Sequence, residues 1–155
     1  MSYRIRGLSP EPFLPLFGLG EAELAARGVI RMVVDESPGY PDRITLREVP
    51  VGESVLLMNH VSLDVASPYR ATHAIFVWEG AVDPYDEIAC VPEVMRRRLL
   101  SLRAFDDMGM MQTADVVEGV EIEAVIERMF ANSAVTAIHV HNAKRGCFAG
   151  RIDRA

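Results

Sequence analysis

Residues 99–117, LLSLRAFDDMGMMQTADVV, decide the fold class. Two strand-like runs, 99–105 and 110–117, flank Asp106-Asp107-Met108-Gly109, which is turn chemistry. So short a connection joins antiparallel neighbours, because parallel strands need a crossover of a dozen or more residues. Immediately downstream, 119–131 reads as a helix. Ile122, Val125, Ile126 and Met129 recur at helical spacing, and Glu121 and Glu123 suit its positive end. A second strand pair follows, 135–141 and 147–152, joined through Ala143-Lys144-Arg145-Gly146.

Upstream, 72–79 carries Ile75-Phe76-Val77-Trp78, apolar on both faces, and reads as a central strand buried on both sides. Further strands are expected at 29–34, 44–46 and 55–61, and one or two helical turns at 92–98. The segment 21–27 reads as a short helix stopped by Gly28. Residues 8–18 hold Pro10, Pro12 and Pro15 among apolar side chains, which predicts an extended arm pinned to the body. The fold class is α+β: a mostly antiparallel mixed sheet with two or three packed helices, in a single domain over 1–155.

The composition narrows the partners. In 155 residues the formal net charge is −6, which argues against nucleic acid and anionic membrane surfaces. The local exception, Arg96-Arg97-Arg98, reads as cations at a solvated helix end. No apolar run approaches the roughly 20 residues that span a bilayer, and Met1-Ser2-Tyr3-Arg4 opens no signal peptide. Cys90 and Cys147 lie far apart and outside any CxxC spacing, so two unbonded thiols in a reducing, cytoplasmic compartment are expected.

Candidate chemistry gathers at strand ends. His139 and His141 are two apart on a strand, so both side chains share a face. That face carries small residues and reads as a shallow pocket floor, with His141 near the rim. A metal on this pair needs a further ligand, for which His60, His73, Asp64 and Cys147 are the candidates. His73 opens the strand at 72–79, three residues after Arg70, whose planar fork suits a carboxylate or phosphate. Cys147 shares a face with His141 if the two are paired. It turns away into the core if Asn142 is its partner instead. Walker A, GxGxxG, HExxH and GxSxG motifs are absent.

The runs SPYRATHAIFVWEGA (67–81), RAFDDMGMMQTADVVEG (103–119) and HVHNAKRGCFAGRIDRA (139–155) resemble domain-of-unknown-function family 1203, bacterial chains of about this length. The resemblance implies no activity, substrate or catalytic residue. Many members carry a cysteine after the Gly39-Tyr40-Pro41 segment; here Asp42-Arg43 follows, so thiol chemistry at that position does not transfer.

The leading expectation is a pocket for a small anionic molecule, lined by Arg70, His73, His139, His141, Asn142 and Arg145. Within it His73 and His141 are the candidate acid and base, because histidine titrates near neutrality. Arg70, His139, Asn142 and Arg145 are the candidate ligand contacts. A metal-dependent enzyme built on His139 and His141, and an interaction module without a small-molecule site, are the alternatives. Nothing in the sequence names a cofactor or an oligomeric state.

Overall fold

The computed structural model describes residues 2–155, and its named strands form two sheets in which every pairing is antiparallel. The larger sheet has six strands: β1 (Tyr3–Arg6), β5 (Asp86–Ile88), β6 (Leu99–Phe105), β7 (Met111–Glu118), β8 (Ala137–Asn142) and β9 (Phe148–Arg154). Their order is β5-β1-β9-β8-β6-β7. The smaller sheet contains β2 (Ile30–Val33), β3 (Ser54–Leu63) and β4 (Ala71–Trp78), with β3 in the middle. Three α-helices accompany them: α1 (Glu21–Ala26), α2 (Glu93–Arg96) and α3 (Ile122–Phe130), the last preceded by a 3-10 turn at Gly119–Glu121. The chain is α+β, and both hairpins expected at 99–117 and 135–152 form.

The main core lies between α3 and one face of the larger sheet. Ile122, Val125, Ile126, Met129 and Phe130 of α3 pack into the same buried cluster as Leu100, Leu102, Ile138, Val140 and Ile152. Alternation along β8 does the sorting: Ile138 and Val140 point into this core, and His139 and His141 point out of the opposite face. On the smaller sheet, Leu56, Met58, Ile75 and Val77 bury against Phe13, Leu24 and Val29. The proline-rich arm is pinned through Phe13 as its apolar residues predict, but it is not extended: residues 11–18 coil through turns and a 3-10 helix at Leu14–Leu16, where Pro15 sits in the first turn.

Three further expectations change. The strand at 72–79 is an edge strand, not a central one. Its two apolar faces are both used, because Ile75 and Val77 enter one cluster while Phe76 and Trp78 cover Val34, Val49 and Val55. Its free edge is covered by residues 41–43. Asp42 bridges Phe76, Arg43 N–H donates to the Phe76 carbonyl at 3.2 Å, and Trp78 N–H donates to Asp42 Oδ1 at 2.8 Å. Residues 44–46 form a buried turn, not a strand; Leu46 has φ 52°. Finally, β1 and β5 had no signal in the sequence. β1 is four residues long and β5 three, too short to show a period, and β1 owes its place to distant partners in β9 and β5.

The turn at 43–45 approaches the chain leaving β1 very closely. A Cβ on Gly7 would sit 1.9 Å from the Ile44 carbonyl oxygen, so only glycine fits there.

Ile126 is 1 % exposed in the middle of the α3 stripe. Ile126→Ala should lower the unfolding free energy by about 2–5 kcal/mol through lost burial and the cavity left behind. A urea titration showing an unchanged midpoint would contradict the packing described.

Candidate functional site

The side chains singled out in the sequence divide between two adjacent places. The first is a seam between the two sheets that holds all four histidines. His60 and His73 face each other across β3 and β4. His73 meets His141 of the other sheet with ring centroids 4.7 Å apart. Phe148 closes the group, with its ring centroid 6.0 Å from His60, 5.4 Å from His139 and 5.8 Å from His141.

The pair on β8, expected on a shallow pocket floor with His141 near the rim, is instead buried: His139 is 3 % and His141 2 % exposed. His73 of the facing sheet packs on His141, and Phe105 and Phe148 of their own sheet flank His139, so the floor is covered. His141 Nδ1 lies 2.9 Å from the Gly146 carbonyl, which only accepts, so the proton sits on Nδ1. His73 Nδ1 lies 3.0 Å from Ser62 Oγ. His139 Nε2 is buried without a partner.

Burial sets the protonation of the seam. It lowers His139 to about 4, with Arg151 adding to the effect, and His141 to about 3, against the opposing pull of the Gly146 carbonyl. His60 and His73 are lowered too, first by burial, then by the neighbouring His73 imidazole and Arg43 for His60 and by Arg103 for His73. The seam is thus uncharged at neutral pH, and His141 is not tuned for proton transfer there. Among the described residues no group of three or more His, Cys, Asp or Glu side chains is placed to hold a metal ion.

The second place is a cleft of about 500 Å³ at the turn end of the β8–β9 hairpin. It lies between the 36–43 loop, the 97–99 turn and the 142–147 turn. Five basic side chains line it, Arg43, Arg97, Arg98, Lys144 and Arg145, against one acidic side chain, Glu36. Met32, Phe76 and Leu99 supply an apolar wall, with Tyr40 stacked at a tilt on Phe76, centroids 5.0 Å apart.

Arg43 anchors the cleft. It is 2 % exposed, and burial lowers its pKa from the ordinary arginine value while the Cys147 sulfur pulls it back up. Its Nε donates to the Phe148 carbonyl at 2.7 Å, Nη1 to the Pro41 carbonyl, and Nη2 to Cys147 Sγ at 3.3 Å. Asn142 Nδ2 donates to the same sulfur at 3.3 Å.

Of the six residues expected to share a pocket, Asn142 and Arg145 line this cleft, and His73, His139 and His141 occupy the seam behind it. Arg70 belongs to neither. It is exposed on the 64–70 loop and pairs with Asp64 at 3.3 Å. Cys90 and Cys147 are free thiols. Asn142 N–H donates to the Cys147 carbonyl at 2.9 Å, so Asn142 is the partner of Cys147, and the thiol turns from the histidines. It does not join the core, because Arg43 and the cleft lie on that side.

The arginine run lies at the C-terminal end of α2, as expected, but it is not simply solvated. Arg97 and Arg98 border the cleft, and Arg98 pairs with Glu48 at 2.5 Å; Arg96 turns away to Glu123. Arg43 carried no local signal, since Asp42-Arg43 after a Gly-Tyr-Pro turn reads like any polar loop.

The family model described as "Protein of unknown function (DUF1203)" matches residues 39–154. The chain belongs to that family. The DUF1203 match covers the 41–43 segment, the seam and most of the cleft, and omits β1, α1 and β2. No curated protein and no solved structure matches the chain. No helix of the described residues is long and apolar enough to cross a membrane.

The seam makes stability depend on pH. Folded-state values lie below the ordinary 6.5, so the unfolded chain takes up protons that the folded chain refuses. The contribution is intact above about pH 6.5 and is lost as pH falls toward about 4 and then 3. Urea unfolding across that range should show the loss, and His139→Leu should make it shallower; equal slopes would remove His139 from the account. His141→Ala, which leaves the Gly146 carbonyl without its donor, should cost about 1–3 kcal/mol even at neutral pH. Thermal unfolding at wild-type midpoint would return His141 to the rim.

Proposed function

We propose that this DUF1203 protein binds a small organic anion in the cleft bordered by Arg97, Lys144 and Arg145. One observation carries the reading: five basic side chains and one acidic surround a cavity of about 500 Å³, on a chain whose net charge is −6. Cavities of this size suit small molecules. A cationic concavity on an acidic protein also draws anions selectively from solution.

The basic residues do not all have the same freedom. Arg98 is engaged by Glu48 and Arg97 by Glu93 at 3.2 Å. Lys144 and Arg145 are exposed and form no ion pair among the described residues. They are therefore the groups that gain most from an incoming carboxylate or phosphate. The wall of Met32, Phe76 and Leu99 favours an anion with an apolar body over a bare inorganic ion. In this reading the histidines support the cleft from behind and take no part in ligand contact.

Phenyl phosphate and benzylamine, an anion and a cation with the same ring, test the proposal by thermal unfolding at low salt. Phenyl phosphate at about 100 times its Kd should stabilise the folded protein by roughly 2.7 kcal/mol, with saturation. Benzylamine should leave the midpoint in place. Lys144→Glu combined with Arg145→Glu should abolish the response without lowering the basal midpoint. Equal responses to both compounds, or a response surviving in the double variant, would refute the proposal.

A further inference from the structure

We propose that Cys147 reacts within this cleft, exchanging with a small anionic disulfide to form a mixed disulfide; the inference rests on the anion-binding reading above. The cleft makes the case, not the cysteine alone. Cys147 lines a cationic cavity, and its sulfur receives one N–H from the buried Arg43 guanidinium and one from Asn142, both at 3.3 Å. A charged donor and a dipole aimed at one sulfur compensate negative charge there, and the thiolate is the reactive form of cysteine.

The surroundings of the sulfur also select the electrophile. Its hydrogen-bonding neighbours are Arg43 and Asn142, neither of which gives up a proton near neutrality. His141 is turned away and committed to the Gly146 carbonyl. With no general acid at the sulfur, the leaving group must depart as a stable anion. A thiolate does so readily; an alkoxide or an amide nitrogen does not. The basic rim of Lys144 and Arg145 then favours a disulfide whose substituents carry carboxylates.

The step balances as a simple exchange. The Cys147 proton passes to water, and the sulfur attacks one sulfur of the disulfide. The S–S bond breaks, and the released thiolate takes a proton from water. The products are the Cys147 mixed disulfide and one free thiol. No net oxidation occurs beyond that brought by the disulfide, and excess thiol reverses the reaction.

Cys90 serves as an internal reference, because it is exposed and outside the cleft. Reduced, folded protein is incubated separately with oxidised glutathione (anionic), 2-hydroxyethyl disulfide (neutral) and cystamine (cationic). Adducts at each cysteine are timed by peptide mass spectrometry after acid quench. The expected result is an adduct at Cys147 whose anion-over-cation rate ratio exceeds that of Cys90 by about tenfold or more, in keeping with the steering a charged cleft provides. The excess should collapse in the Lys144→Glu, Arg145→Glu double variant.

Absence of a Cys147 adduct, or a charge preference equal to that of Cys90, overturns the inference. Phenyl phosphate separates this from the binding proposal. If it raises the unfolding midpoint of wild type and of Cys147→Ser alike while Cys147 stays unreactive, the cleft binds anions and the exchange chemistry is wrong. If it raises neither, the binding reading fails and the inference falls with it.

Discussion

Two consecutive charged residues, Asp42 and Arg43, tie the two sheets together. Asp42 is fully buried and accepts from Thr45 N–H and Oγ1, each at 2.7 Å, and from Trp78 N–H on β4. Arg43 reaches the other way, to the Phe148 carbonyl on β9 and to Cys147. Buried charges are tolerated only when hydrogen bonds replace their water. Here those bonds run to different sheets, so satisfying the charges and docking the sheets are one event. The same segment receives the chain leaving β1, through Leu8 N–H to the Arg43 carbonyl at 2.7 Å, and the chain entering β5, through Tyr85 N–H to the Ile44 carbonyl at 2.8 Å.

The uncharged seam and the cationic cleft are two sides of this joint. The seam is aromatic and imidazole-rich, and burial keeps its rings neutral. The cleft opens to solvent, and its Arg97, Lys144 and Arg145 are exposed. Arg43 stands at the boundary: its backbone and Nε are spent on structure, and one Nη faces the thiol.

Periodic and local features were legible in the sequence. The α3 stripe, the hairpin around residues 106–109, the Gly28 stop and the shared face of His139 and His141 follow from spacing alone. So does the pinning of the 8–18 arm by Phe13. What spacing cannot carry is the second layer. That the histidine face is covered depends on β4 arriving from the other sheet and on a register slip that brings Phe148 to that face, neither of which spacing along β8 reveals. β1 and β5 exist only through distant pairing. Arg43 looked like loop polarity until Phe148 and Cys147 came to meet it. Arg97 and Arg98 do close α2, but their place beside a cleft was hidden because the 36–43 and 142–147 loops that complete it lie far away in the chain.

The β8–β9 ladder slips by one residue: Val140 pairs with Gly150, but His141 pairs with Phe148. The extra residue, Ala149, is the phase-setter of the hairpin. With it in place, Phe148 shares a face with the imidazoles, and Cys147 goes with Asn142 to the cleft at the turn end. Were the ladder to close up with no change of composition, His141 would face Ala149 and Asn142 would face Phe148. The phenyl ring would then plug the cavity, and the sulfur would turn toward the histidines. Insertions and deletions across 143–150 are therefore parity changes: an odd one exchanges the contents of the two compartments, while an even one alters only the length of the tip.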